Sequence, residues 1–259
     1  MPKNNRTPVW ASQNFLTSSA TISRLINLSN LNKNDHAVEI GPGKGHITRK
    51  LLSRCGKVTA VEIDRELYRQ LEEKFTGHGE LDLVCRDFLK WGLPKTPYKV
   101  FANIPFNRTT EILRKLTSVP HTPDEAWLIV QKGAAKRFMG LPVESRDSLL
   151  IKPFFDMEIK YYFRKEDFHP APSVDAVLLH LKKKPLPDIA PSEQNLYSRF
   201  ISNCLRSPAG IYSLLSKKQI SKALKLEKLS CDIITAEMLY VQWLCLFRCY
   251  AKFRKSNCT

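Results

Sequence analysis

The sequence predicts an α/β protein: a parallel sheet with helices on both faces, followed by a small all-helical C-terminal domain. Three observations carry this. Residues 36–104 alternate strand-like and helix-like patterns, as βαβ units do. Two later β-rich runs, 158–164 and 174–181, flank the Pro-punctuated turn FHPAPS and read as a hairpin closing the sheet edge. Beyond a basic, Pro-rich stretch at 182–191 the pattern becomes helical.

The elements follow in order. Residues 36–41 form a short apolar run ending in glycine, a strand. Residues 47–54 have helical spacing. Residues 57–64 (KVTAVEID) are rich in β-branched side chains and read as a strand, and 65–75 as a charged amphipathic helix. Further strands are expected at 81–85, 98–103 and 126–131, with helices at 111–116 and 132–139. After the linker, helices are expected at 193–205, 216–226 and 236–253. The domain boundary falls near residue 185, dividing the chain into 1–184 and 185–259.

Composition narrows the class. Of 259 residues, 43% are hydrophobic and 25% charged, ordinary globular values that disfavour long disorder, collagen and a disulfide miniprotein. Forty-one Lys+Arg oppose 25 Asp+Glu, a formal net of +16. That excess predicts an anionic partner, nucleic acid or an anionic membrane surface. Residues 182–259 hold 14 basic and 5 acidic side chains, against 27 and 20 in the rest, so the small domain is the more basic per residue. The N-terminus leads into no apolar signal region, and no run reaches the roughly 18 apolar residues of a membrane span. The apolar segment 238–247 is interrupted by Gln242 and followed by Arg248, so it reads as a packed helix. Seven scattered cysteines without a C-x-x-C pair disfavour a zinc site and read as core thiols of a reducing cytoplasm. The expectation is a cytoplasmic, metal-free monomer that does not bind membranes.

The first strand leads into Glu39-Ile40-Gly41-Pro42-Gly43-Lys44-Gly45, which opens a helix. Glycines here let the backbone turn sharply and approach a ligand with no Cβ in the way. The spacing is neither the dinucleotide G-x-G-x-x-G nor a phosphate-binding G-x-x-x-x-G-K-[ST]. It resembles the loop of S-adenosylmethionine (SAM) methyltransferases, where an acidic neighbour suits a cationic cofactor. Gly41, Gly43 and Gly45 are therefore expected at the cofactor. The second strand ends in Val61-Glu62-Ile63-Asp64. Glu62, about 20 residues beyond the glycines, is placed to accept from both ribose hydroxyls, with Ile63 beside it. Asp64 is expected to cap the next helix. Asp87, after the third strand, could accept from the adenine N6 amino group, with Phe88 against the ring.

The fourth strand ends in Asn103-Ile104-Pro105-Phe106. Methylating an exocyclic amine is difficult because its lone pair is delocalised into the base. An Asn103 side-chain oxygen and the Ile104 carbonyl can accept the two N–H groups and free that lone pair. Pro105 fixes the turn. Phe106 offers a π-face for a flipped base. Positioning and electrostatics suffice, with no metal.

With these residues in hand, the chain resembles the rRNA adenine N6-methyltransferase superfamily, and within it the Erm (erythromycin-resistance) methylases. The fragments are SQNFL at 12–16, EIGPGKGHIT at 39–48, VEID at 61–64, Asp87 and NIPFN at 103–107. They continue with LIVQKGAAKR at 128–137, FHPAPSVDA at 168–176 and QWLCLF at 242–247. The resemblance implies a Rossmann-like SAM-dependent sheet, with Asn14 and Leu16 also lining the SAM pocket. It implies methylation, once or twice, of one adenine in the peptidyl-transferase loop of 23S rRNA, free or in a ribosome precursor. That mark blocks macrolide, lincosamide and streptogramin B binding. The housekeeping small-subunit (16S-type) dimethyladenosine transferases are the alternative; Lys44, Ile104 and the QWL segment favour Erm. A non-catalytic RNA-binding factor on the same fold is a further alternative, against which the intact Asn103–Phe106 and glycine loop count. Two departures stand out: Phe106 replaces a frequent Tyr, and Gly133 stands where an acid is frequent. Arg137, Arg164 and Lys165 are candidate phosphate contacts, supplying affinity rather than sequence choice. The 185–259 domain is expected to hold RNA.

Overall fold

The computed structural model describes residues 15–118, 120–207, 209–231 and 237–256. The chain begins with β1 (Phe15–Leu16) and α1 (Ser19–Leu28), then alternates β2 (His36–Ile40), α2 (His46–Arg54), β3 (Lys57–Glu62), α3 (Arg65–Lys74) and β4 (Leu81–Cys85). It continues with β5 (Lys99–Asn103), α4 (Thr109–Thr117), β6 (Glu125–Gln131), α5 (Lys132–Met139), α6 (Arg146–Ile151), β7 (Phe155–Tyr162), β8 (Phe168–His169) and β9 (Ala176–Lys183). Helices α7 (Gln194–Cys204), α8 (Lys217–Leu226) and α9 (Tyr240–Ser256) complete it.

Seven strands form one sheet in the order β4-β3-β2-β5-β6-β9-β7. Pairings from β4 through β6 are parallel, and β9 runs antiparallel to β6, so the sheet is mixed rather than parallel throughout. The central strands are apolar on both faces because helices cover both, so β3 buries five of its six residues in a row. Helix α1 buries Ile22, Leu25 and Ile26, and α2 buries Ile47, Leu51 and Leu52. Both join a core that includes Val58, Phe101 and Leu178 of the sheet. As expected, Asp64 caps α3, its Oδ1 accepting from the amides of Glu66 (2.8 Å) and Leu67 (3.1 Å).

Strand order reverses between β2 and β5, where Ala37 pairs with Lys99 and Val38 with Val100. Open α/β sheets bind ligands outside the carboxyl ends of the strands at such a switch point. The glycine loop after β2 and Asn103 at the end of β5 both stand there.

The chain divides into two compact units, residues up to 135 with 157–183, and residues 136–156 with 184–259. The chain leaves the first unit at 183/184, close to the boundary expected near 185. Residues 136–156, expected in the first domain, cluster instead with the C-terminal helices. Helix α6 packs on α7, and the backbone amides of Lys184 and Asp188 donate to the carbonyls of Phe154 and Pro153. The second unit is built on aromatic contacts, Tyr197 on Phe247 and Phe200 on Trp243.

Other expectations shift. The hairpin strands are β7 and β9, so Lys182 and Lys183 extend a strand rather than open the linker. Cys55, Cys204 and Cys245 are buried, but Cys85 and Cys231 are exposed, so not all the thiols are core. Cys258, expected as another core thiol, lies outside the described residues. Among the described residues no helix is long and apolar enough to cross a membrane, and no three His, Cys, Asp or Glu gather as metal ligands.

Candidate active site

A cleft opens at the switch point. Its walls include Phe15, Leu16, Glu39, Gly41 and His46, together with the run 103–106. Leu16 is held there by the two-residue ladder in which it pairs with Phe168. Asn14 lies outside the described residues.

The three glycines do different work. All have positive φ: +65° at Gly41, +56° at Gly43 and +74° at Gly45. A Cβ on Gly41 would meet nothing within 4 Å, so its open side faces the cleft. A Cβ on Gly43 would lie 2.8 Å from Phe15 Cε1, and one on Gly45 2.6 Å from Phe75 Cε2. The expected close approach to ligand therefore applies to Gly41. At Gly43 and Gly45 the neighbour is the protein itself.

Glu62, at the end of β3, is buried and already accepts three backbone hydrogen bonds. Gly43 N donates to Oε2 (3.1 Å), and Ile63 N and Asp64 N donate to Oε1 (2.9 and 3.0 Å). A carboxylate offers about four acceptor positions. One remains, on Oε2, which is fewer than two ribose hydroxyls would use. Burial raises its pKa while the three amides oppose the rise. Ile63 is exposed.

Asp87 follows β4 and is half-buried, its Oδ1 accepting from Leu89 N at 2.9 Å to cap a short 3-10 turn at 88–90. Phe88 is buried against Trp91, and the Lys115 ammonium lies 4.9 Å from its ring centre. The Lys115 ammonium thus lies over the ring expected to meet an adenine. Glu62, Ile63, Asp87 and Phe88 stand at the ends of the next two strands outward from the cleft, not in its wall.

The run 103–106 comes together as expected. Asn103 and Phe106 are half-buried in the cleft wall, and Ile104 is buried. Pro105 holds φ −59° and ψ 124°, and its carbonyl accepts from Arg108 N (2.9 Å) to start the turn into α4. The Thr109 hydroxyl donates to the Phe106 carbonyl at 3.0 Å. Phe106 also packs against the core, which restricts its ring. Of the candidate phosphate contacts, Arg137 is exposed on α5 in the second unit, and Arg164 and Lys165 are exposed in the first.

Sequence reasoning assigned no cleft role to His46 or Phe15, and expected Glu39 only as the acidic neighbour of the glycines that suits a cationic cofactor, not as a buried carboxyl with a raised pKa. Glu39 is buried in β2 and accepts from Thr48 Oγ1 at 2.6 Å. Burial pushes its pKa up to about 8, Thr48 opposing and Glu62 adding. A charged residue within an otherwise apolar strand was the available signal. His46 opens α2; burial lowers its pKa, and Lys74, Lys44 and Arg49 lower it further.

A buried carboxyl, which an adjacent cation would hold ionised, and an open glycine in one cleft suit a cationic ligand that approaches the backbone. SAM, with its sulfonium and ammonium, fits these residues. The mixed seven-stranded sheet with its site at the switch point defines a Rossmann-like SAM-dependent methyltransferase. The family described as ribosomal RNA adenine dimethylase matches residues 5–237, and the chain belongs to it. Its activity is N6-methylation of adenine in rRNA, with SAM as methyl donor. The chain is 34% identical to an rRNA adenine N-6-methyltransferase of Limosilactobacillus reuteri over 97% of its own length and 100% of that relative. It is 35% identical to one of Lysinibacillus sphaericus, over 96% and 99%. The crystal structure of the 23S rRNA methyltransferase ErmE superposes with TM-score 0.80 at 27% identity, covering 92% of this chain and 100% of that one. A dimethyladenosine transferase of Plasmodium falciparum shares the fold, with TM-score 0.73 at 21% identity over 94% and 98%.

Glu39 sets a pH dependence. Between its ordinary 4.5 and about 8, the folded carboxyl keeps a proton that the unfolded chain has lost. The stability of the ligand-free protein therefore falls as pH rises through that window, by up to about 1.4 kcal/mol per unit for a group that titrates alone. Glu39→Gln removes this contribution, so the variant gains on the wild type with rising pH. Urea unfolding below and above the window measures it; parallel curves for both proteins mean that Glu39 ionises normally.

Proposed function

We propose that this chain methylates N6 of one adenine in the peptidyl-transferase loop of 23S rRNA and so confers macrolide, lincosamide and streptogramin B resistance. The observation that carries the 23S choice is the likeness to ErmE, a 23S rRNA methyltransferase, along nearly the full length of both chains. Lys44 in the glycine loop and Ile104 in the run 103–106 point the same way.

In this reading Phe106 stacks the flipped base, and its packing against the core keeps the ring presented. The Asn103 side-chain oxygen and the Ile104 carbonyl accept the two N–H groups of the amine and hold its lone pair out of conjugation. Pro105 keeps that carbonyl turned inward. Bound SAM supplies an electrophilic methyl group on its sulfonium. Leu16 and Gly41 shape its pocket, Glu39 offers it a carboxyl, and the remaining acceptor position of Glu62 is available to one ribose hydroxyl. Arg137, Arg164 and Lys165 contact RNA phosphates, and the basic 185–259 region holds the strand.

Labelled methyl transfer to protein-free 23S rRNA and to 16S-containing small-subunit particles tests this. Label is expected in 23S rRNA alone. Label confined to 16S rRNA sinks the 23S assignment in favour of the housekeeping one.

A further inference from the structure

The second unit carries an open groove between α8 and α9 that the chemistry above does not use. Leu226 and Phe253 lie along it, 73% and 45% exposed. Lys218, Lys222 and Arg248 also line it. A shallower depression on the outer face of α8 adds Lys225 beside Lys218, Lys222 and Leu226. The lysines at 218, 222 and 225 follow helical spacing, so they form one stripe running past the apolar groove.

This arrangement opposes stability. Like charges four residues apart on a helix repel by a few tenths of a kcal/mol. Helix α8 has no acidic residue, and none of its three stripe lysines pairs with a carboxylate among the described residues. The Leu226 side chain and the Phe253 ring are exposed in the same place. Two carboxylates, Glu193 and Glu227, also line the groove. A cationic stripe beside an exposed aromatic ring is how proteins hold single-stranded nucleic acid, with the ring stacking a base and the cations following the backbone. An acidic helix would match the charge equally well, but the substrate of this family is itself a polyanion with unpaired bases.

We propose that the α8–α9 groove is a second RNA site, taking an unpaired nucleobase of the rRNA against Phe253 and Leu226 while Lys218, Lys222 and Lys225 neutralise phosphates of the same strand. This rests on the rRNA substrate of the family and is independent of the choice between 23S and 16S rRNA.

The test uses the full chain and a fluorescein-labelled single-stranded RNA of about ten nucleotides, with an abasic ribose-phosphate oligomer of equal length beside it. Phe253→Ala is expected to weaken binding of the base-bearing RNA about tenfold and to leave the abasic oligomer nearly unaffected. Phe253→Tyr keeps the ring and the affinity; Phe253→Leu keeps bulk and loses affinity. The double variant Lys218→Ala/Lys222→Ala should lower the slope of log affinity against log salt by about 1.4 for both oligomers. Thermal midpoint and SAM affinity report whether each variant is folded. Wild-type RNA affinity in Phe253→Ala overturns the proposal, as does an equal loss for both oligomers. So does sedimentation showing that the groove variants disrupt self-association while RNA binding is unchanged, which would make the groove a protein interface.

Discussion

Asn103→Ala should lower methyl transfer to rRNA by about 10²- to 10³-fold, the scale on which removing one preorganised polar group at a reacting centre acts. Asn103 ends β5 at the point where strand order reverses, half-buried in the wall shared by Gly41, Ile104 and Phe106. Alanine deletes the side-chain acceptor proposed for the amine, and a melting temperature taken beside it reports whether the variant is folded. Single-turnover transfer at saturating SAM and RNA is the measurement, because it reads the chemical step rather than product release. Asn103→Asp keeps an acceptor oxygen and should retain more activity than alanine. Transfer within a few-fold of wild type in Asn103→Ala would remove this residue from the chemistry. It would leave the fold and the family membership untouched.

The parts of this molecule legible in the sequence are those whose signal is local. Strands β2, β3, β5 and β6 are covered on both faces, so each reads as an apolar run, and their spacing discloses the helices between them. The glycine loop and the run 103–106 are contiguous peptides, and the switch point brings them together. What escaped depends on distant partners. Phe15 reaches the cleft through a ladder of two residues, Phe15 with His169 and Leu16 with Phe168, too short to show as a strand, and Leu16 was expected there only through the family resemblance. Helix α6 has six residues, and its capping box of Ser145 and Ser148 is a weak signal in a polar stretch. Residues 136–156 follow the first unit in sequence but attach through α7 to the second. Lys115, 27 residues from Phe88, lies over the Phe88 ring, a contact no local pattern discloses.

Gly45→Ala should be the most damaging single methyl group added to the glycine loop. Two costs combine there. The residue sits at φ +74° as the N-cap of α2, where an L side chain costs about 1–2 kcal/mol. Its Cβ would also lie 2.6 Å from Phe75 Cε2 and 2.8 Å from Leu71 Cδ2. Both belong to the buried core under α3, so relief requires off-rotamer side chains or a shifted helix, typically about 1–3 kcal/mol more. The sum, about 2–5 kcal/mol, is a large share of the about 5–15 kcal/mol that stabilises a domain. Gly41→Ala provides the contrast, with the same φ penalty at +65° but no atom within 4 Å of the new Cβ. It should unfold more readily by about 1–2 kcal/mol only. Its larger effect should be on SAM affinity, because the new methyl group enters the cleft. Urea unfolding and titration calorimetry with SAM separate the two, Gly45→Ala failing mainly in the first and Gly41→Ala mainly in the second. Phe75→Leu in the Gly45→Ala background should recover part of the loss, since residues that share a contact couple rather than add. Full additivity of those two substitutions would show that α2 and α3 do not meet at Gly45 in the way the close approach requires.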